Sequence, residues 1–314
     1  MTRRLASALA AALAISLVAG CRGEFPSDVV RRTAISITEL RPAAGQLALP
    51  KRPGSVRFAV IGDSGRGDEA QYQTAAQLHA WRERFPFDFV LMLGDNIYDH
   101  HTPADYQRRF EQPYKPLLDA GVTFHAAIGN HDDPAQMFYE KFNMGGERYY
   151  SFRRAEMSLR GGLTGGGVRF FVLDSRSLDS GQLTWLHQQL RDSGSRWKVV
   201  YFHHPLYTSG RYRAAARLLR DELEPVLVSG DVDVVLAGHE HFYERLTPQR
   251  GIAYFIAGAS GALRKGDIRP SDLTARGFDN DNSFLLMEVA GNELYFQAVS
   301  RTGETVDAGV IRKD

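Results

Sequence analysis

Five times along this chain an apolar run ends directly in side chains able to bind a cation, and that recurrence narrows the folds open to it. Val56–Ile61 runs into Gly62-Asp63-Ser64-Gly65, Phe87–Leu93 into Gly94-Asp95-Asn96-Ile97-Tyr98, and Val122–Ile128 into Gly129-Asn130-His131-Asp132. Lys198–Phe202 runs into His203-His204-Pro205, and Val232–Ala237 into Gly238-His239-Glu240-His241. Short runs of this kind read as strands buried on both faces. An open α/β sheet collects its ligands beyond the carboxyl ends of its strands, so these motifs can converge on one place.

Helical patterns separate the strands. Glu69–Arg84 carries Tyr72, Ala75, Ala76 and Trp81 loosely at helical spacing, and a second helix is expected around Asp105–Leu118. Gly181–Asp192 sets Leu183, Leu186 and Leu190 on one face with Ser180 placed to cap it, and Ala214–Val228 follows. Arg169–Leu173 is a further strand, and Ile252–Ala257, Phe284–Val289 and Leu294–Ser300 read as closing strands. Strand–helix alternation gives an α/β fold with covered sheet faces. The glycine cluster Gly161–Gly167 lacks the Lys-Ser/Thr of a phosphate loop and reads as a turn before the Arg169 strand.

The donor set is oxygen and imidazole, which suits hard or borderline cations. A carboxylate can give one oxygen to each of two cations, and Asp95 is the candidate bridge. Asp63, Tyr98 and His241 complete one sphere; Asn130, His203 and His239 complete the other. Two such ions would clamp the attacking and leaving oxygens of a phosphoryl transfer and lower the pKa of a bound water. A formal charge of +1 offers no basic stripe, so nucleic-acid binding is not expected.

The ordered motifs resemble those of calcineurin-like metallophosphoesterases. Tyr98, placed three residues after Asp95, makes the chain similar to the purple acid phosphatase branch, as do FAVIGDSG, LGDNIYD, AIGNHDD and AGHEHFYER, over roughly residues 56–300. The resemblance implies a four-layer αββα sandwich of two mixed sheets flanked by helices, in the small single-domain form. It implies Fe(III) on the Tyr98 side and Fe(II), Zn(II) or Mn(II) on the other, with a metal-bound hydroxide hydrolysing a phosphate monoester. His131 would then contact the phosphoryl group and help protonate the leaving oxygen, and His204 is a second candidate for a substrate contact. Val200-Tyr201-Phe202-His203 fits the family's spacing for the ligand, and alternation along a strand would turn His204 to the opposite side. A phosphodiesterase or nucleotidase with the same centre, or a surface protein that binds without turnover, are the alternatives.

Several nearby residues carry a plainer reading. His79, His125 and His187 are expected to be structural or surface histidines. His100 and His101 can reach an outer layer of the site, while Asp99, Asp132 and Asp133 suit turns and caps. Tyr207, Tyr243 and Arg245 serve either the substrate pocket or packing, and Asp279–Asn282 is a polar turn.

The N-terminus stands apart. Arg3 and Arg4 precede an Ala/Leu-rich run that ends at Leu17-Val18-Ala19-Gly20-Cys21. A short apolar core after basic residues describes an export signal, and the ending resembles a bacterial lipobox. Cys21 is the only cysteine, so no disulfide forms within the chain. Residues 1–20 are thus expected to be a lipoprotein signal, 21–54 a lipid-anchor site and tether in which only Ala34–Leu40 suits a short strand, and 55–314 the catalytic domain. The mature protein is expected at the cell envelope, on the outer membrane or a periplasmic face, held through a lipidated Cys21.

Overall fold

The computed structural model describes residues 35–155, 166–269 and 271–313. The export signal, Cys21 and residues 161–165 of the glycine cluster lie outside these residues. Two seven-stranded mixed sheets pack face to face, and helices cover both outer faces. That is the four-layer sandwich the family resemblance implied.

In the first sheet, β2 (Val56–Ile61), β3 (Phe89–Met92) and β4 (Thr123–Ala126) run parallel. On the other side of β2, the strands β12 (Ser283–Ala290), β13 (Glu293–Ser300), β14 (Thr305–Lys313) and β1 (Ile35–Glu39) follow as an antiparallel series. In the second sheet, β6 (Val168–Val172), β7 (Trp197–Phe202), β8 (Val234–Ala237) and β10 (Ala253–Ala257) are parallel. Antiparallel β5 (Tyr150–Arg154) sits on one side of them, and β9 (Tyr243–Leu246) and β11 (Thr274–Phe278) on the other.

Two-residue periodicity explains the continuous apolar runs. Along β2, Val56, Phe58 and Val60 enter the core between the sheets, while Ala59 and Ile61 face the helices. Along β7, Trp197, Val199 and Tyr201 point inward, and Val200 and Phe202 point to the other helical layer. A strand covered on both faces must be apolar at every position. Aromatic edges lock the sheets together: Phe170 meets Phe58 edge-on at 5.2 Å and Phe89 at 5.4 Å.

Helix α1 (Glu69–Arg84) has the expected bounds but not the expected face. Gln71, Thr74, Ala75, Leu78 and Trp81 are its buried positions, while Tyr72 is half-buried and Ala76 exposed. Gln71 is tolerated because its amide donates to the Arg109 carbonyl (2.6 Å) and accepts from the Gly67 N–H (2.6 Å). The helix expected over 105–118 is broken into α2 (Pro103–Tyr106), a π turn (Gln107–Glu111) and α3 (Lys115–Asp119). Pro113 and Pro116 remove the donors that one continuous helix needs. Helix α4 (Ser180–Arg191) is capped by Asp179, which accepts from the Gln182 N–H at 2.8 Å, and not by Ser180. Helix α5 (Arg213–Ser229) follows.

Within the segment expected as a tether, β1 stands where Ala34–Leu40 suited a short strand, and the residues that follow it are also held to the domain. β1 covers the edge of β14, and Leu49 is buried. Glu288 is fully buried and must find donors; it accepts from Lys51 N–H (2.8 Å), Arg52 N–H (2.5 Å) and the Ser55 hydroxyl (2.7 Å). Proline-rich sequence without periodicity here is ordered by buried acceptors of the domain, not by a pattern of its own. No helix among the described residues is long and apolar enough to cross a membrane.

Candidate metal centre

All five motif loops leave the carboxyl ends of parallel strands. Those after β2, β3 and β4 come from the first sheet, and those after β7 and β8 from the second. The sheets face each other, so the loops meet across one edge of the sandwich. Ligating atoms of Asp63, Asp95 and His241 lie within 4.8 Å of one another, and so do those of His203, His204 and His239.

On one side, the Tyr98 hydroxyl is 3.3 Å from Asp63 Oδ1 and 3.3 Å from His241 Nε2, and that Nε2 is 3.3 Å from Asp63 Oδ1. On the other, His203 Nε2 lies 3.0 Å from Asn130 Oδ1, 3.2 Å from His239 Nδ1 and 3.4 Å from Asp95 Oδ1. The His203 tautomer follows from its second nitrogen. Nδ1 sits 2.9 Å from the Leu93 carbonyl, which can only accept, so Nδ1 carries the proton and Nε2 a lone pair. That lone pair faces three further acceptor-capable atoms. One shared proton would reconcile a single pair, whereas a cation reconciles all of them. Donors about 2.1 Å from an ion stand roughly 3.0–3.4 Å apart, and these separations match.

Electrostatics point the same way. Burial, then the neighbouring Asp95, raises the Asp63 carboxyl well above the usual range, so a cation here would favour its ionised form. Burial holds the imidazoles in the ligating neutral form, with His203 lowered, His239 pushed down to about 2 and His241 to about 4. Backbone strain is concentrated here as well. Asp63 (φ +52°), Asp95 (φ +51°) and His239 (φ +67°) all adopt the left-handed region, at an order of 1 kcal/mol or more each. Glycines admit the ligands: a Cβ on Gly94 (φ +90°) would come within 2.7 Å of His203 Nδ1, and one on Gly238 within 2.5 Å of Asp63 Oδ2.

Of the seven proposed ligands, Tyr98 and His241 lie by Asp63, and Asn130, His239 and Asp95 lie by His203 Nε2. His131 donates its backbone N–H to Asp95 Oδ1 (2.9 Å), and its exposed ring lies 4.8 Å from that of Tyr98. The strand-alternation reading of His204 fails, because β7 ends at Phe202 and the next residues bend. His204 therefore packs beside both His203 (4.9 Å) and His239 (4.4 Å), with Nδ1 at 3.0 Å from Ser175 Oγ.

Sequence reasoning missed other residues. Asp132 is more than a turn acid: its buried carboxylate accepts from Ile97 N–H (3.0 Å), Gly129 N–H (2.8 Å), Asn96 (3.1 Å) and Gln136 (2.8 Å), clamping the Asp95 and Asn130 loops together. His101 touches Gln136 at 3.4 Å and thus reaches only that outer layer. Asp174-Ser175-Arg176 follows β6 as the other motifs follow their strands, and this position was the available signal. Tyr212 stacks 4.3 Å from His239, and Arg264 reaches over Tyr212 at 5.6 Å; neither has a local pattern. Tyr243 and Arg245 lie away from the site, bonded to Asp307 at 2.8 and 2.7 Å, and the Tyr207 hydroxyl donates to Glu224 at 2.8 Å.

Comparison with known proteins agrees with this geometry. The family model described as calcineurin-like phosphoesterase matches residues 56–243. Purple acid phosphatase 17 of Arabidopsis thaliana is 28% identical over 256 residues, covering 70% of this chain and 72% of the relative. Tartrate-resistant acid phosphatase type 5 of Rattus norvegicus is 24% identical over 295 residues, covering 80% and 89%. Among solved structures, GAP50, the anchor in the inner membrane complex of Plasmodium, shares the fold with a TM-score of 0.73 at 19% identity, over 83% of this chain and 89% of that one.

Proposed function

Because the chain belongs to the calcineurin-like phosphoesterase family, we propose that it hydrolyses phosphate monoesters at a two-metal centre held by Asp63, Asp95, Tyr98, Asn130, His203, His239 and His241. Membership and the acid phosphatase relatives make it a phosphoester hydrolase. The observation carrying the finer reading is the convergence of acceptor atoms around His203 Nε2 and around the Tyr98 hydroxyl.

Asp95 lies within reach of both clusters, 3.4 Å from His203 Nε2 and grouped with Asp63 and His241, and is the carboxylate that would be shared between the two ions. The metal pair supplies Lewis acidity and a nucleophilic water near neutral pH. Burial and the Asp63 and Asp95 carboxylates hold the Tyr98 phenol far above its ordinary range. A cation beside the phenol oxygen would favour its ionised form, and the likeness to purple acid phosphatases assigns Fe(III) to this side, with Fe(II), Zn(II) or Mn(II) on the other. The chain's own groups do the rest. The Asp95 carboxylate fixes the His131 backbone, and the exposed His131 ring, 4.8 Å from that of Tyr98, is the group that would pass a proton from a ring nitrogen to the leaving oxygen. Ser175 orients His204 through the ring Nδ1 and through the His204 N–H (3.0 Å), setting it toward a substrate oxygen. We also propose that Cys21 carries a lipid that holds the enzyme at the cell envelope.

A visible spectrum and metal analysis of the purified protein test the reading. A charge-transfer band that Tyr98→Phe abolishes, with one iron in a two-metal stoichiometry and faster turnover of a monoester than a diester, is expected. A colourless two-metal protein that prefers diesters would refute both the iron assignment and the monoester specificity.

A further inference from the structure

Two pockets flank the centre, and they differ in charge. One, of about 370 Å³, lies on the His204 and His239 side and is walled by Leu178, Pro205, Leu218 and Leu219. Its cation Arg176 is already neutralised by Asp174 at 3.1 Å. The other, of about 570 Å³, lies on the His241 side and contains Arg66, Arg264, Lys265 and Arg301 with only Asp68 and Asp281. Arg301 is committed to Asp281 at 2.8 Å, and Arg66 lies 3.6 Å from Asp68. Among the described residues no carboxylate lies within ion-pair distance of Arg264 or Lys265, and Asp63 and Glu240 feel the Arg264 charge only from further off, so cations outnumber paired acids in this pocket.

Arg264 is held where it can use that charge. Its backbone N–H donates to the His241 carbonyl (3.0 Å), and its guanidinium lies over Tyr212 (5.6 Å) and near the His239 carbonyl (3.5 Å). Asn282, the expected polar turn residue, secures the same loop by donating to the carbonyls of Ala259 and Gly261 at 3.0 Å each. A guanidinium held by its loop and without an ion-pair partner presents a fork suited to phosphate oxygens. Arg66 stands across the pocket mouth, over the Tyr98 ring at 5.4 Å.

We propose that Arg264, aided by Lys265 and Arg66, binds a second phosphate of the substrate, so that the enzyme prefers phosphate esters and anhydrides carrying a further phosphate beside the one released. This rests on the monoesterase reading and gives its substrate class. The hydrolysed phosphate lies at the metal ligands, the second enters the cationic pocket, and the Leu-walled pocket takes no anion.

The test compares kcat/KM for pyrophosphate and for phenyl phosphate in the metal-loaded enzyme, alongside calorimetric binding of methylenediphosphonate and of phosphate. Arg264→Ala should lower the pyrophosphate to phenyl phosphate ratio about tenfold, Lys265→Ala should lower it less, and Arg264→Lys should restore part of it. Methylenediphosphonate should bind the wild type at least tenfold tighter than phosphate and lose that margin in Arg264→Ala. Equal losses on both substrates would make Arg264 a merely structural or general phosphate contact and overturn the proposal. Equal affinity of the wild type for the two ligands would overturn it too. If the wild type hydrolysed neither substrate yet kept the tight, Arg264-dependent diphosphonate binding, the monoesterase reading would fall and the anion subsite would stand.

Discussion

Adding one methyl group at Gly238 separates metal binding from folding without removing any ligand. Gly238 does not adopt a positive φ, so alanine fits the backbone, and its Cβ would stand 2.5 Å from Asp63 Oδ2, 3.1 Å from the Leu93 carbonyl oxygen and 3.4 Å from His203 Nδ1. Carbon and oxygen need about 3.2 Å, so the Asp63 carboxylate must retreat by about 0.7 Å. A ligand constellation tolerates displacements of about 0.5 Å, so the Tyr98-side sphere is spoiled while its ligands remain. Metal affinity should drop about 10- to 100-fold, or about 1.4–2.8 kcal/mol. Folding of the metal-free protein should change by less than about 1 kcal/mol, because alanine restricts the unfolded chain and offsets some of the crowding. Chelator competition on the loaded protein, with thermal unfolding of the metal-free form, reads both quantities. Unchanged metal affinity would show that Asp63 is not a ligand. A large loss of apo stability would show that the carboxylate cannot move and that the cost is ordinary overpacking.

The other predictions address separate links. Asn130→Ala should lose one metal by elemental analysis, whereas His131→Ala should keep both and lose rate; the reverse pattern would exchange their roles. Glu288→Gln should lower the unfolding free energy by about 2 kcal/mol, because one of two backbone donors then faces an amide NH₂; denaturant titration showing no change would return residues 48–55 to a loose tether. His125 is buried, accepts from Arg154 at Nε2 (3.0 Å), and is pushed down to about 4 by burial and that guanidinium. The unfolded chain takes up its proton near pH 6.5 and the fold not until about 4, so stability falls across that window by about 3 kcal/mol as pH drops. His125→Gln should flatten that slope in unfolding measured at several pH values, and an unaltered slope would place the acid lability elsewhere.

Much of the centre was legible because each motif is local: an apolar run ends and a donor follows at once. The parallel strands were legible for a related reason, since burial on both faces leaves no polar position to confuse the reading. Elements whose environment is set from far away were not. β14 contains Asp307, buried only because Arg245 and Tyr243 meet it, and β5 spends Arg153 and Arg154 on distant carbonyls and on His125. β11 is a bulged edge with a half-exposed pattern. Arg264 and Tyr212 reach the site by loop geometry, which has no period in sequence. Ala34–Leu40 was legible as a strand, but residues 48–52 looked unstructured because their order is imposed by Glu288 and Gln297 more than 200 positions later.

The pairing registers also fix which way the molecule points. Ile35 is level with Lys313, Arg312 with Glu293, and Val289 with Val56, so the chain enters the domain at the end where β2 begins. The ligand loops lie where β2 ends. An attachment through Cys21 would therefore grip the domain by its back, on residues 22–34 that span at most roughly 45 Å when fully drawn out. Were Cys21 anchored, the point of attachment and the mouth of the ligand loops would thus stand at opposite ends of β2.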